Sequence, residues 1–263
     1  MNRPDILAFD FDGVICDGLV EYFQTAWKAY CQIWNPTPQK PPDGLAERFY
    51  PLRPVIETGW EMPMLLRSLL LGVTNAEILT DWQAIAHRRI EAEGLDPVQL
   101  ARAVDGVRDE WIQSDMAGWL AQHRFYPGVI ERLRHCLDDV DQCFIISTKE
   151  GRFIHQLLQQ EQLAIAPEQI YGKEVRQPKA ETLRQLTTRY EDTHSTNPQI
   201  WFVEDRLKTL DAVKNTPELS HVTLYLADWG YNTMGDRHQA TQDQRIHLLS
   251  PSSFAQDFAA WIG

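Results

Sequence analysis

The sequence predicts an α/β fold: a parallel sheet with helices on both faces, interrupted after its first strand by a block that is helical throughout. Three observations lead there. Four short apolar runs, at residues 6–10, 142–147, 199–203 and 221–226, have the length of buried strands. Helix-period stripes stand beside the last three of them, which is the alternation a parallel sheet requires. Between residues 19 and 124 no convincing strand occurs, only capped helical segments.

Taken in order, the run ILAFD at 6–10 ends in a carboxylate and is followed by Gly13, the pattern of a buried strand opening into a loop. The next hundred residues read as helices. Thr74 with Glu77 three positions on forms a capping box, and Gly94 closes that helix. Ile78, Trp82 and Ile85 are its apolar stripe. Asp96-Pro97 starts another helix in N-cap and N1 style, with a stripe of Leu100, Val104, Val107 and Trp111. The proline-rich segment NPTPQKPP at 35–42 reads as an extended loop joining two helices. RPVIETGWE at 53–61 reads as a capped loop between helices, with Arg53, Glu57 and Trp60 as alternative substrate contacts. Trp27, Trp60, Trp82, Trp111 and Trp119 all fall in this block and are expected mostly in its core.

Tyr126-Pro127-Gly128 marks the return to the sheet-forming part. Leu133 and Leu137 share a face before the second strand, and Phe153, Leu157 and Leu158 share one after it. Ala180, Leu183 and Leu186 precede the third strand; Leu207, Leu210 and Val213 follow it. The expected division is therefore 1–18 with 126–263 as the α/β core and 19–125 as a helical insert.

Composition narrows the class of function. The chain has 263 residues, 43% hydrophobic and 24% charged, the profile of an ordinary soluble globular protein. A net charge of −12 argues against nucleic acid and anionic membrane as partners. It leaves room for a small phosphorylated substrate, because a bound divalent metal inverts the local field. Cys16, Cys31, Cys136 and Cys143 form no CxxC pair and no zinc pattern with histidine, so they read as reduced thiols suited to the cytoplasm. The N-terminal MNRPDILAFD has no long apolar stretch, so no secretory signal is expected. The greasiest segment, 62–73, is short, contains Arg67 and cannot span a bilayer. Oligomeric state is not legible.

The ends of the strands carry the chemistry. The first ends at Asp10, with Asp12 two residues on; the second ends at Ser147; the run at 199–203 leads into Glu204-Asp205; and Lys179 follows Pro178 at a helix start. In a parallel sheet these ends line one edge, where open α/β folds bind ligands. Carboxylates from Asp10 and Asp205 suit Mg²⁺, which prefers hard oxygen ligands. The metal and Lys179 would offset charge on a transferring phosphoryl group. Asp10 is placed to act as nucleophile and Asp12 as acid and base. Plainer roles compete: Ser147 as a helix N-cap, Glu204-Asp205 as caps of the helix from Arg206, and Lys179 as a surface lysine.

In these segments the chain resembles the haloacid dehalogenase-like superfamily, in the branch with a helical cap after the first motif. DFDGVICDG is similar to its DxDGV signature, FIIST to its strand-ending Ser/Thr motif, QPKAETL to its lysine motif, FVEDRLKTLDAV to its acidic motif, and LADWGYN to a segment often found after it. The resemblance covers essentially the whole chain and implies a Rossmann-like core with 19–125 as the cap. It implies that Asp10 is nucleophile and metal ligand, that Asp12 is acid/base and binds metal through its backbone carbonyl, that Ser147 and Lys179 hold phosphoryl oxygens, and that Gly13 and Thr148 also bind the phosphate. Asp205 would bind metal directly or through water, with Glu204 assisting. Asp12 points to phosphate esters, since dehalogenating members carry an aromatic residue there and phosphonate-cleaving members a small apolar one. Some members place a second acid four residues after the metal-binding Asp; here that position is Thr209, and the next acid is Asp211. Lys173 is an alternative to Lys179. The function implied is a Mg²⁺-dependent phosphatase of a small metabolite working through an aspartyl-phosphate. A sugar phosphomutase of the same branch, or a catalytically idle binding module, would preserve the same fold.

Overall fold

The computed structural model describes residues 3–140 and 142–262. The chain divides into two compact units, Met1–Asp17 with Arg124–Gly263, and Gly18–His123.

The first unit is built on a six-stranded parallel sheet. In chain order its strands are β1 (Ile6–Phe9), β4 (Gln142–Ile146), β5 (Ile170–Tyr171), β6 (Ile200–Glu204), β7 (Thr223–Ala227) and β8 (Ile246–Leu249). Between β1 and β4 in sequence come β2 (Cys16–Asp17) and β3 (Arg124–Phe125), which pair antiparallel with each other. The spatial order of the sheet is β5-β4-β1-β6-β7-β8, so β1 runs between β4 and β6. Register aligns Phe9 with Ile145 on one side and Val203 on the other. The ends of three strands far apart in sequence therefore arrive side by side.

Period-two alternation assigns the two faces. Ile6, Ala8, Phe144, Ile146, Phe202 and Leu224 form a buried cluster with Leu183, Leu186, Leu207, Leu210 and Val213, from helices Lys179–His194 and Leu207–Lys214. On the opposite face, Phe9 meets Phe254 edge-on at 6.1 Å, and Trp201 packs against Phe258 and Trp261 at 5.5 and 5.8 Å. Arg132, from helix Val129–Asp139, stacks on the Phe258 ring at 4.6 Å. Burying a side chain of this size is worth roughly 1.5–3 kcal/mol, so both faces contribute strongly.

Three differences from the sequence reading have local causes. The sequence pattern predicts neither the short edge strand β5 nor the strand β8: IY at 170–171 is two residues long, and in IHLL at 246–249 a histidine and an exposed leucine break the apolar run. β2 and β3 are likewise only two residues each, and their pairing gives the core unit its bounds at 17 and 124. The strand expected at 221–226 begins at Thr223, because Val222 N bonds back to Leu219 O at 3.1 Å and keeps the preceding residues in a turn.

The second unit has no strand among its described residues; its elements are helices Leu19–Trp34, Leu45–Phe49, Glu61–Leu70, Asn75–Glu93, Pro97–Ser114 and Met116–Leu120, with a 3₁₀ helix at Tyr50–Val55. The Thr74–Glu77 capping box forms on both sides, and Asp96 accepts from Val98 N at the head of the helix that Pro97 starts. Trp27, Trp82 and Trp119 are buried in this unit, while Trp60 and Trp111 are half-buried. Residues 35–44 form the loop between the first two helices. The loop at 56–60 is capped by Glu61, whose Oε2 accepts from the Glu57 and Thr58 amides at 2.6 Å each. Among the described residues no helix is long and apolar enough to cross a membrane, and all four cysteines are free.

Candidate active site

Asp10 follows β1 directly, and its amide donates to Val203 O of β6 at 2.9 Å, so the sheet itself holds the residue. Its side chain is buried, with Oδ1 accepting from Phe11 N at 2.6 Å. The chain then turns sharply: Gly13 N donates to Cys16 O at 2.8 Å, and Gly13 adopts φ +87°, a conformation L side chains rarely take. A Cβ on Gly13 would fall 2.1 Å from Asp205 Oδ2. This position requires glycine for both its backbone and its space.

The end of β6 supplies the acids. Glu204 and Asp205 are almost fully buried. One carboxylate oxygen from each of Asp10, Glu204 and Asp205 lies within 4.8 Å of the others. Asp205 Oδ2 accepts from Tyr231 N at 2.7 Å, and Asn232 Nδ2 donates to Asp205 O at 3.0 Å. Tyr231 also donates its hydroxyl to Asp17 Oδ1 at 2.9 Å, and Trp229 Nε1 donates to Val14 O at 3.0 Å. The segment after β7 thus grips both the acid pair and the turn after β1.

Lys179 enters this cluster from the start of its helix. Its ammonium is 2.8 Å from Asp10 Oδ2 and 2.7 Å from Glu204 Oε2. Burial pulls its pKa down, but the two carboxylates outweigh burial and the net shift is upward. Burial in turn raises Asp10 to about 6, against the lowering effect of Lys179. It raises Glu204 to about 7 for the same reason, with Asp205 adding repulsion. One ammonium shared between two desolvated acids does not fully compensate either.

Ser147, just past β4, is buried; its amide donates to Tyr171 O and its hydroxyl accepts from Lys149 N at 3.3 Å. Thr148 is exposed. Lys173 is exposed as well, and its amide donates to Lys149 O at 2.9 Å. Of the two lysines the sequence offered, Lys179 meets the carboxylates. The acid pair also caps locally: Glu204 Oε1 accepts from Arg206 N at 3.0 Å. Thr209 bonds to Arg206 O through its amide, and Asp211 pairs with Lys214 at 2.7 Å.

The sequence reading missed Lys149. Its ammonium lies 3.2 Å from Asp12 Oδ1, with both side chains nearly enclosed. Its place two residues after Ser147 was the available signal. Tyr231 and Asn232 also belong to the site, and their signal in the sequence is the LADWGYN segment that contains them.

The donor set fits a divalent cation. Asp10, Asp12, Glu204 and Asp205 carry four negative charges when ionised, and Lys149 and Lys179 carry two positive ones, leaving a deficit of two. The group within reach of one ion is all carboxylate oxygen, the chemistry that suits Mg²⁺ and offers nothing to softer metals.

No protein-family model and no curated protein sequence matches the chain. Solved structures do. A candidate phosphatase from Clostridium difficile superposes with a TM-score of 0.60 at 12% identity, covering 96% of this chain and 97% of its own. A predicted phosphatase from Clostridium acetobutylicum gives 0.57 at 15% identity, with 97% of each chain covered. A haloacid dehalogenase-like family hydrolase from Streptococcus pneumoniae gives 0.54 at 15% identity, covering 94% and 93%. At these identities the likeness establishes the fold alone: a parallel-sheet α/β core carrying a helical insert, shared with these structures over nearly the full length.

Proposed function

Taking the haloacid dehalogenase-like fold as the frame, we propose that the protein is a Mg²⁺-dependent phosphatase that hydrolyses a small phosphorylated metabolite through an aspartyl-phosphate on Asp10. The observation that carries this reading is the placement of the Asp10 carboxylate at the carboxyl end of the central strand, 2.8 Å from the Lys179 ammonium and within 4.8 Å of Glu204 and Asp205.

Asp10 attacks phosphorus and the ester oxygen leaves with a proton from Asp12. Asp12 then takes a proton from water as the water displaces Asp10 from phosphorus. Lys179 and Ser147 hold the phosphoryl oxygens, with Gly13 and Thr148 bordering them, and Lys179 offsets negative charge as it spreads. Asp10, Glu204, Asp205 and the Asp12 backbone carbonyl would hold Mg²⁺, which supplies charge neutralisation that lets an anionic nucleophile approach an anionic ester. Burial keeps the cluster at low dielectric, so each charge counts for more there than in water. Two of the structures with this fold are described as phosphatases, which supports the reaction class.

The test is phosphate release from p-nitrophenyl phosphate with Mg²⁺, followed by a panel of phosphorylated metabolites. Wild type is expected to turn over and Asp10→Asn to be inactive. Equal rates for the two proteins would refute the reading. Isomerisation of a sugar phosphate without net phosphate release would point to a mutase instead, and no turnover despite Mg²⁺ binding to an idle module.

A further inference from the structure

Each of the two aspartates after β1 has its own lysine. Lys179 lies against Asp10 and Glu204. Lys149 lies against Asp12, its ammonium 3.2 Å from Oδ1, with the two side chains 9% and 13% exposed. The backbones at both ends of this contact are held. Lys149 donates its amide to Ser147 Oγ at 3.3 Å, and its carbonyl accepts from Lys173 N at 2.9 Å. Asp12 sits in the tight turn after β1, where it bridges to Cys16 and the next amide, Gly13 N, donates to Cys16 O. The contact is an ion pair and not a hydrogen bond, since Asp12 Oδ1 has no hydrogen-bond partner, but enclosure between two held backbones keeps the carboxyl beside the ammonium more closely than an open surface would. Confinement matters because proton transfer falls off steeply with misplacement of the acid.

We propose that Lys149 is a positioning residue that holds the Asp12 carboxyl in the orientation from which it exchanges a proton with the leaving and attacking oxygens. The inference rests on the phosphatase reading above. Lys149 itself gives up no proton: Asp12 donates one to the ester oxygen as the O–P bond breaks, and receives one from water as the Asp10 phosphoryl bond is cleaved.

The test compares two substrates in the full-length protein. An alkyl phosphate needs its leaving oxygen protonated, whereas p-nitrophenyl phosphate has a good leaving group and needs little help. kcat/KM covers the steps through departure of the leaving group, so it isolates the acid role. Lys149→Met is expected to lower kcat/KM about tenfold or more on the alkyl ester and by less than about threefold on p-nitrophenyl phosphate. The alkyl-ester loss should appear in kcat rather than KM. Lys149→Arg, which preserves the charge, should recover most of it. Asp12→Asn should show the same substrate bias, and the double variant should be no worse than Asp12→Asn alone. Equal losses on both substrates, a loss confined to KM, or full additivity with Asp12→Asn would overturn the proposal; the KM outcome would make Lys149 a substrate-binding group. If circular dichroism shows that Lys149→Met does not fold, Lys149→Gln reads the same ratio. An inactive wild type would overturn the phosphatase reading and this inference with it, whereas an active wild type with an unbiased variant overturns this inference alone.

Discussion

Lys179 Nζ lies 2.8 Å from Asp10 Oδ2, which makes a single buried ammonium the immediate neighbour of the candidate nucleophile. The same ammonium touches Glu204 at 2.7 Å. Three charged groups from the end of β1, the end of β6 and the head of a helix therefore share one enclosed space, and the first prediction follows from removing the cation.

Lys179→Met leaves two buried carboxylates without the cation they share. Breaking a buried pair in this way costs about 3–5 kcal/mol. The cost depends on pH. Asp10 and Glu204 have folded-state pKa values raised to about 6 and about 7, so the folded metal-free protein binds more protons than the unfolded chain between roughly pH 4 and 7, and stability falls as pH rises through that window. Urea unfolding of the metal-free variant should show a larger loss at pH 8 than at pH 5. Equal losses at the two pH values would contradict the charge argument.

Mg²⁺ should raise the melting temperature, and the rise should grow between pH 5 and pH 8. Protons compete with the cation for Asp10 and Glu204, and that competition fades as pH passes about 6 and about 7. Differential scanning fluorimetry with Mg²⁺ and with EDTA reads this directly. A shift that stays constant, or shrinks with rising pH, would place the cation away from these carboxylates.

Gly13→Ala should impair the site more than its small size suggests. The φ of +87° makes any side chain unfavourable there, by about 1–2 kcal/mol for the left-handed backbone. The added Cβ would also fall 2.1 Å from Asp205 Oδ2 and 2.9 Å from Tyr231 Cδ2, displacing the acid. We expect lower stability together with Mg²⁺ affinity reduced at least about tenfold, as for loss of groups that orient a ligand. Calorimetric titration with Mg²⁺ measures the second effect, and an unchanged affinity would show that Asp205 does not bind the ion.

Glu61→Ala tests the helical unit. The Glu61 carboxylate is buried and accepts from the Glu57 and Thr58 amides, from Thr58 Oγ1, from Trp82 Nε1 at 3.1 Å and from Gln83 Nε2 at 2.9 Å. Each buried donor left without a partner costs about 1–3 kcal/mol, so a total of about 3 kcal/mol or more is expected. Denaturant unfolding gives the loss, and limited proteolysis at 56–60 should become faster. A loss under about 1 kcal/mol would mean that water replaces the carboxylate.

Some of this arrangement was legible in the chain because it depends on neighbours in sequence. Thr74 and Glu77 cap a helix at a fixed spacing of three, and Asp96-Pro97 starts one for local reasons. The strand ends at Asp10, Ser147 and Glu204-Asp205 stand out as polar residues terminating apolar runs. The short strands were illegible for the converse reason. Ile170–Tyr171 has too few residues to show a period, and it is a strand only because Ile145 and Ile146 lie beside it.

By itself, the sequence determined where polar groups break out of buried strands, and hence that Asp10, Asp12, Ser147, Glu204 and Asp205 belong to one edge of a parallel sheet. That follows from local alternation and from the shared direction of parallel strands. Only the tertiary structure decided the pairings: Lys179 rather than Lys173 beside Asp10, Lys149 beside Asp12, and the Tyr231 amide on Asp205. These contacts depend on strand order, which places β1 between β4 and β6. They also depend on which lysine is enclosed. Lys173 and Lys179 are equally charged in sequence, and burial against two carboxylates is what separates them.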